Sequence, residues 1–247
     1  MSIESDADWV GLREAGRVTR LTLDALEAHV RVGVSTADLD ECAAAVFAEL
    51  GARSAPALMY GFPRTVLISV NDEIVHGVPG LRRLASGDLV KLDVTVEKNG
   101  YVADAARTVI VGFGSDVACR LAQCAAEALN TALVVAKAGT RVNEIGRVVE
   151  REVRRSGFSV VRGLAGHGVG RTIHEWPTVS NSYDPRQKDV LTTGLVLTIE
   201  PMISAGSPHA VQDANGWTIR TRDGSLSAHH EHTLVITHGE PIILTAA

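Results

Sequence analysis

Apolar residues recur at helical spacing over about residues 7–31, where Val10, Leu12, Val18, Leu21, Leu23, Leu26 and Val30 predict a first helix that Gly33 breaks. Ser35 or Thr36 then caps a second helix, with Asp38 in the capping-box position relative to Ser35, and the pattern carries it to Leu50 before Gly51. Between about residues 66 and 96 the period changes to alternation rich in Val, Leu and Ile, which predicts strands interrupted by the turn H-G-V-P-G. Asn99-Gly100 is a strong hairpin signal and joins a strand at about 89–97 to one at about 101–111.

After Ser115 the same plan begins again. A helix expected at about 116–137 stops at Gly139, and another at about 141–156 stops at Gly157. These two glycines repeat Gly33 and Gly51 at a common offset of 106 residues. The strand opening G-D-L-V-K-L-D at Gly87 is echoed 107 residues on by G-L-V-L-T-I-E at Gly194, which sets Glu200 opposite Asp93. H-G-V-P at His76 is likewise echoed by H-E-W-P at His174. The expectation is an α/β chain forming a single domain over 1–247, built as two helix–helix–strand halves at about 7–112 and 115–240, with its site on the axis between them.

The duplication gives meaning to acids that would otherwise be unremarked. On strand 91–97, Leu92, Val94 and Val96 share one face while Lys91, Asp93 and Thr95 share the other. A lone Asp on a strand is ordinarily an edge or solvent residue. Here Asp93 and Asp104 flank one hairpin, Glu200 matches Asp93 in the repeat, and Glu231 matches Asp104. Glu231 stands among His229, His230 and His232, and is taken as the functional group in preference to its neighbours because the repeat requires an acid there. Four carboxylates gathered inside a fold repel one another unless cations lie between them. His167, in the glycine-rich G-H-G-V-G, adds one imidazole, and such an oxygen-rich set suits Mn, Fe, Co or Zn. Two ions and a hydrolytic reaction are the expected chemistry. His76 and His174, in equivalent turns beside that cluster, are candidates for substrate contact and proton handling.

Composition narrows the alternatives. The chain has 247 residues, 45% of them hydrophobic, enough for one large core. A formal charge of −5 argues against DNA or an anionic membrane as the main partner. Cys42, Cys119 and Cys124 are odd in number and lie in apolar-periodic segments, as small buried hydrophobes in a reducing compartment do. No secretory signal and no membrane-length apolar run is visible, so a cytoplasmic location is expected.

The runs S-V-N-D-E-I-V-H-G-V-P, L-D-V-T-V, G-H-G-V-G-R, H-E-W-P, T-I-E-P-M and S-L-S-A-H-H-E-H-T together make the chain resemble the type I methionine aminopeptidases of the pita-bread metallopeptidase family, over nearly its whole length. The resemblance implies the pita-bread fold, a curved antiparallel sheet inside pseudo-symmetric helices. It implies two divalent metal ions, with Asp104 and Glu231 bridging them, Asp93 chelating one, and His167 with Glu200 holding the other. Glu200 would double as general base, His174 would stabilise the oxyanion and His76 would contact the scissile amide. Phe62, Leu67, Ile173 and Trp217 would form the methionine pocket, and Asn71 and Ser227 match positions that hold a monovalent cation. The pocket departs from the family: Leu67 stands where a cysteine is common, Ile173 where a phenylalanine is, and Tyr60 where a histidine is. The implied activity is removal of the initiator methionine from nascent chains with a small second residue, by a monomer, with ribosome docking left open. An aminopeptidase of altered specificity and a non-catalytic peptide-binding relative are the alternatives.

Overall fold

A computed structural model describes residues 1–246. Helix α1 (Asp6–His29) starts where the Ser5 hydroxyl accepts from the Asp8 amide at 3.2 Å, and Asp6 and Asp8 in its first turn oppose the positive end of the helix dipole. Helix α2 (Thr36–Leu50) is capped by Ser35, not Thr36: Ser35 and Asp38 exchange both capping-box hydrogen bonds, at 2.8 and 3.1 Å. Gly51 ends it in the left-handed region, φ 60°. A short helix, α3 (Ala55–Tyr60), follows, capped by Ser54 and closed by Gly61. Sequence reading did not anticipate it, because six residues are too few for a helical period to show.

The hairpin Leu89–Lys98 to Tyr101–Ile110 is in register with Lys98 opposite Tyr101, and Asn99 and Gly100 both have positive φ, as a type I′ turn needs. Leu67–Val70 and Arg53–Ser54 pair with the other edge of Leu89–Lys98. Helices α4 (Asp116–Val135) and α5 (Val142–Arg155) then precede a five-stranded antiparallel sheet in the order Ile242–Ile243, His232–Val235, Val196–Ile199, Ala165–Gly168, Glu175–Ser180. Two further three-stranded sheets complete the β-structure, and one of them pairs Glu73–Val75 with Ile219–Thr221.

The helices lie against the sheets through separate cores. Val18, Leu26, Leu39 and Phe47 of α1 and α2 pack with Ile68, Leu92, Val94 and Val96, and Leu121, Ala125, Ile145 and Val149 of α4 and α5 pack with Leu197, Ile199 and Leu234. Each fully buried aliphatic side chain contributes roughly 1.5–3 kcal/mol. With Leu92, Val94 and Val96 committed to the helices, alternation sends Asp93 and Thr95 to the opposite face. The two sheets meet where Tyr101–Ile110 runs beside the start of His232–Val235. Glu231 and Ala106 exchange backbone hydrogen bonds at 3.0 and 3.4 Å, and the Thr233 hydroxyl donates to Asp104 O at 2.7 Å and accepts from Asp104 N at 2.9 Å. This seam sets Asp104 beside Glu231, although 127 residues separate them in the chain.

Candidate metal centre and active-site cavity

Asp93, Asp104, His167, Glu200 and Glu231 line the same cavity of about 440 Å³. They arrive there from four stretches of chain: the hairpin carries the two Asp, Ala165–Gly168 carries His167, Glu200 directly follows Val196–Ile199, and Glu231 lies between Ser227–His229 and His232–Val235. His167 lies on a strand, not in a loop as the glycines around it suggested. The glycines serve close approach: a Cβ at Gly168 would stand 2.1 Å from Trp176 O, and one at Gly166 2.6 Å from Thr198 O.

Three of the five ligand candidates are oriented by a neighbour. Thr95 Oγ1 donates to Asp104 Oδ1 at 2.9 Å, and Thr198 Oγ1 donates to Glu200 Oε1 at 2.9 Å. His167 Nδ1 lies 3.0 Å from Gly168 O, which can only accept, so the ring proton sits on Nδ1. Nε2 is left with a free lone pair, 3.3 Å from Glu200 Oε1. Burial pushes this imidazole down to about 4, with His174 adding to the shift, so it is neutral and can ligate.

The carboxylates are far from their ordinary state. Burial, then the charges of Asp104 and Glu200, push Asp93 well above the usual carboxylate range. Glu200 and Glu231 are raised well above that range by burial and by Asp104, and Asp104 is raised to about 6 by burial against the pull of Thr95. Glu231 Oε1 has no hydrogen-bond partner. Ligand atoms of Asp104, His167 and Glu231 can be chosen within 4.8 Å of one another, and so can those of Glu200, His229 and Glu231. Crowded, under-satisfied oxygens with imidazole nitrogen beside them fit divalent cations, which supply the missing positive charge.

Family membership follows from comparison with known proteins. A model of metallopeptidase family M24 matches residues 10–238. The chain belongs to this family. It is 42% identical over 247 residues to methionine aminopeptidase 2 of Bacillus subtilis, covering 99% of both chains. It is 41% identical over 248 residues to the methionine aminopeptidase of Escherichia coli, covering 99% of this chain and 94% of the relative. The crystal structure of a methionine aminopeptidase from Thermotoga maritima superposes with a TM-score of 0.96 at 33% identity, each chain covered completely. The pita-bread expectation therefore holds for this M24 peptidase.

Above the carboxylates the cavity wall is formed by His76, His174, Phe62, Leu67, Ile173 and Trp217. Phe62 and Trp217 meet edge to face with ring centroids 5.2 Å apart. His76 is held at φ 58° and pushed by burial, then by His174, down to about 4. His174 is lowered by burial, and its ring centroid lies 4.4 Å from that of His167.

Three side chains in and around the M24 site were not assigned from sequence. Tyr60, half exposed at the end of α3, places its hydroxyl 2.6 Å from His174 Nδ1. Its occurrence in place of a common histidine was the only signal. Lys91 is 1% exposed and its amino group donates to Asn71 O at 2.8 Å and to Ser227 O at 3.2 Å. Asn71 and Ser227, the residues expected around a monovalent cation, therefore present their carbonyls to a cationic side chain. Burial lowers Lys91 to about 7, opposed by Glu73 and Asp72. His229, set aside in favour of Glu231, is 1% exposed, and burial pushes it down to about 3 with His230 contributing.

Proposed function

We propose that this M24 peptidase removes the N-terminal methionine from polypeptides whose second residue is small. The observation that carries this reading is the meeting of Asp93, Asp104, His167, Glu200 and Glu231 beneath an apolar wall of Phe62, Leu67, Ile173 and Trp217. The identity of 42% with a methionine aminopeptidase over nearly the full chain supports it. Asp93, Asp104, His167, Glu200 and Glu231 would hold two divalent ions, which supply Lewis acidity toward the scissile carbonyl and a nucleophile from water at neutral pH.

The remaining steps belong to the protein. Glu200, with Oε1 fixed by Thr198, accepts a proton and delivers it to the departing amine. The Tyr60 hydroxyl lies 2.6 Å from His174 Nδ1; by donating there it would hold the proton of the neutral ring on Nε2 and make that atom the donor to the developing oxyanion. His76 contacts the scissile amide, and the apolar wall receives the methionine side chain. The anionic floor selects a free α-amino group, so chain ends are accepted and internal bonds are not. We assign the place of a monovalent cation at Asn71 and Ser227 to the Lys91 amino group. The three cysteines are unpaired, which supports a reducing cytoplasm as the setting for nascent-chain processing.

A tripeptide panel tests the activity. Metal-reconstituted enzyme is expected to cleave Met-Ala-Ser well, Leu-Ala-Ser poorly and Ala-Pro-Ala not at all. Cleavage of Ala-Pro-Ala in preference to Met-Ala-Ser would make the chain an X-Pro peptidase.

His174→Ala is expected to lower kcat by about 10²–10³, the range for loss of one oxyanion donor, with metal content unchanged by elemental analysis. Tyr60→Phe is expected to lower kcat by roughly 3- to 10-fold, the worth of one hydrogen bond, while KM and metal content stay constant. Loss of metal from the His174 variant would instead place that imidazole among the ligands.

Leu67→Cys tests the pocket, since Leu67 is 5% exposed and lines the cavity wall. A change of this volume shifts discrimination by about 1–3 kcal/mol, or ~10- to 200-fold. The ratio of kcat/KM for methionine over norleucine and leucine peptides is expected to change, and identical ratios would remove Leu67 from the pocket.

A further inference from the structure

His229 closes the strand Ser227–His229, two residues before Glu231. Its backbone is pinned on both sides by one hydroxyl: the amide donates to Thr108 Oγ1 at 2.9 Å, and its carbonyl accepts from the same atom at 2.7 Å. The ring cannot relax toward solvent, and it is 1% exposed. Neither Nδ1 nor Nε2 has a hydrogen-bond partner among the described residues. A buried imidazole with both nitrogens unmet is costly, and native interiors rarely leave such a group without a reason.

The surroundings supply that reason. Nε2 lies 3.9 Å from Glu200 Oε2 and 3.7 Å from Glu231 Oε2. These separations are too long for hydrogen bonds. They are within a few tenths of an ångström of the edges of a coordination polyhedron, because ligand atoms ~2.1 Å from a common centre stand roughly 3.4–3.6 Å apart at tetrahedral to trigonal angles. Glu200 is spanned from both sides, with Oε1 toward His167 Nε2 and Oε2 toward His229 Nε2.

We propose that His229 Nε2 is a sixth protein ligand of the metal centre, binding the ion held between Glu200 and Glu231. The assignment rests on the dinuclear reading given above and extends it. The centre then presents two imidazoles, His167 and His229, in place of one. Added nitrogen shifts the preference from hard ions such as Mg and Mn toward Co, Ni and Zn.

Zinc-edge X-ray absorption on the fully loaded enzyme counts imidazoles directly and does not depend on turnover. Two imidazoles shared over two zinc ions are expected in the wild type and one in His229→Gln, with affinity for the weaker ion reduced by at least ~10-fold in calorimetric titration. Pulsed EPR on the Mn-loaded wild type provides the same count of coupled nitrogens without any variant, and so decides the matter should His229→Gln not fold. Two bound ions with one imidazole in the wild type overturn the assignment of His229 and leave the dinuclear centre standing. A wild type that binds no divalent ion overturns both.

Discussion

Asp104→Asn is expected to abolish peptide hydrolysis and to leave the purified protein with less than its full complement of metal. Asp104 is raised to about 6 by its burial and stands at the seam where its backbone is tied to Thr233 on the other sheet. Its carboxylate is shared in space: Asp93 makes a side-chain hydrogen bond to it, Thr95 donates to it, and its charge raises both Glu200 and Glu231. An amide at this position keeps the shape and removes the charge that, in the proposed dinuclear centre, would draw two cations together. The loss in metal affinity should exceed the ~10–100-fold typical of removing a group that merely supports a ligand. Elemental analysis after dialysis, read beside kcat for Met-Ala-Ser, checks the expectation. Two ions retained with full activity would show that Asp104 does not bridge them.

Metal removal is expected to make the protein lose stability as pH rises above about 7, a slope that metal loading abolishes. The folded-state values of Asp93, Asp104, Glu200 and Glu231 lie above their unfolded values, so their contribution is present at low pH and is lost as pH rises through the folded values. Asp104 passes that point at about 6, and the others are raised well above the ordinary range. The buried histidines have the opposite sense. His76, His167 and His229 are depressed to about 4, 4 and 3, so their neutral burial favours folding above the unfolded value and is lost as pH falls below it. Unfolded histidine titrates near ~6.5, so above pH ~7 the histidines are silent; Lys91, lowered to about 7, adds stability with rising pH in chelated and metal-loaded protein alike, and the carboxylates set the difference between the two. Each carboxylate that keeps its proton in the fold after its unfolded counterpart has ionised costs about 1.4 kcal/mol per unit of pH. Thermal melts at pH 7.0 and 8.5, with and without chelator, are expected to show Tm falling with pH only in the chelated sample. A chelated sample whose Tm is level across that range would mean that Asp93, Glu200 and Glu231 do not keep their protons above pH 7.

Much of this is legible in the sequence. The Ser35–Asp38 box, Gly51 and the Asn99-Gly100 turn act over four residues or fewer, so the sequence contains all of the partners. Alternation in L-D-V-T-V separated the core face from the site face of the strand for the same reason. The cluster of acids was legible because burying four carboxylates costs too much without cations, which makes their presence on strands informative wherever they meet.

What remained hidden depends on contacts that no local pattern encodes. His229 and His230 are neighbours in an H-H-E-H run, and nothing in that run says which ring is sealed between Glu200 and Glu231. Tyr60 meets His174 across 114 residues, and Lys91 meets Ser227 across 136. Sequence by itself determined the elements, the faces they present and the identity of the charged groups, because backbone preference, capping and periodicity are short-range. Tertiary structure alone decided which imidazole lost its water, which hydroxyl orients His174 and which amino group fills the space between two carbonyls, because desolvation and hydrogen-bond geometry exist only once distant segments are packed together.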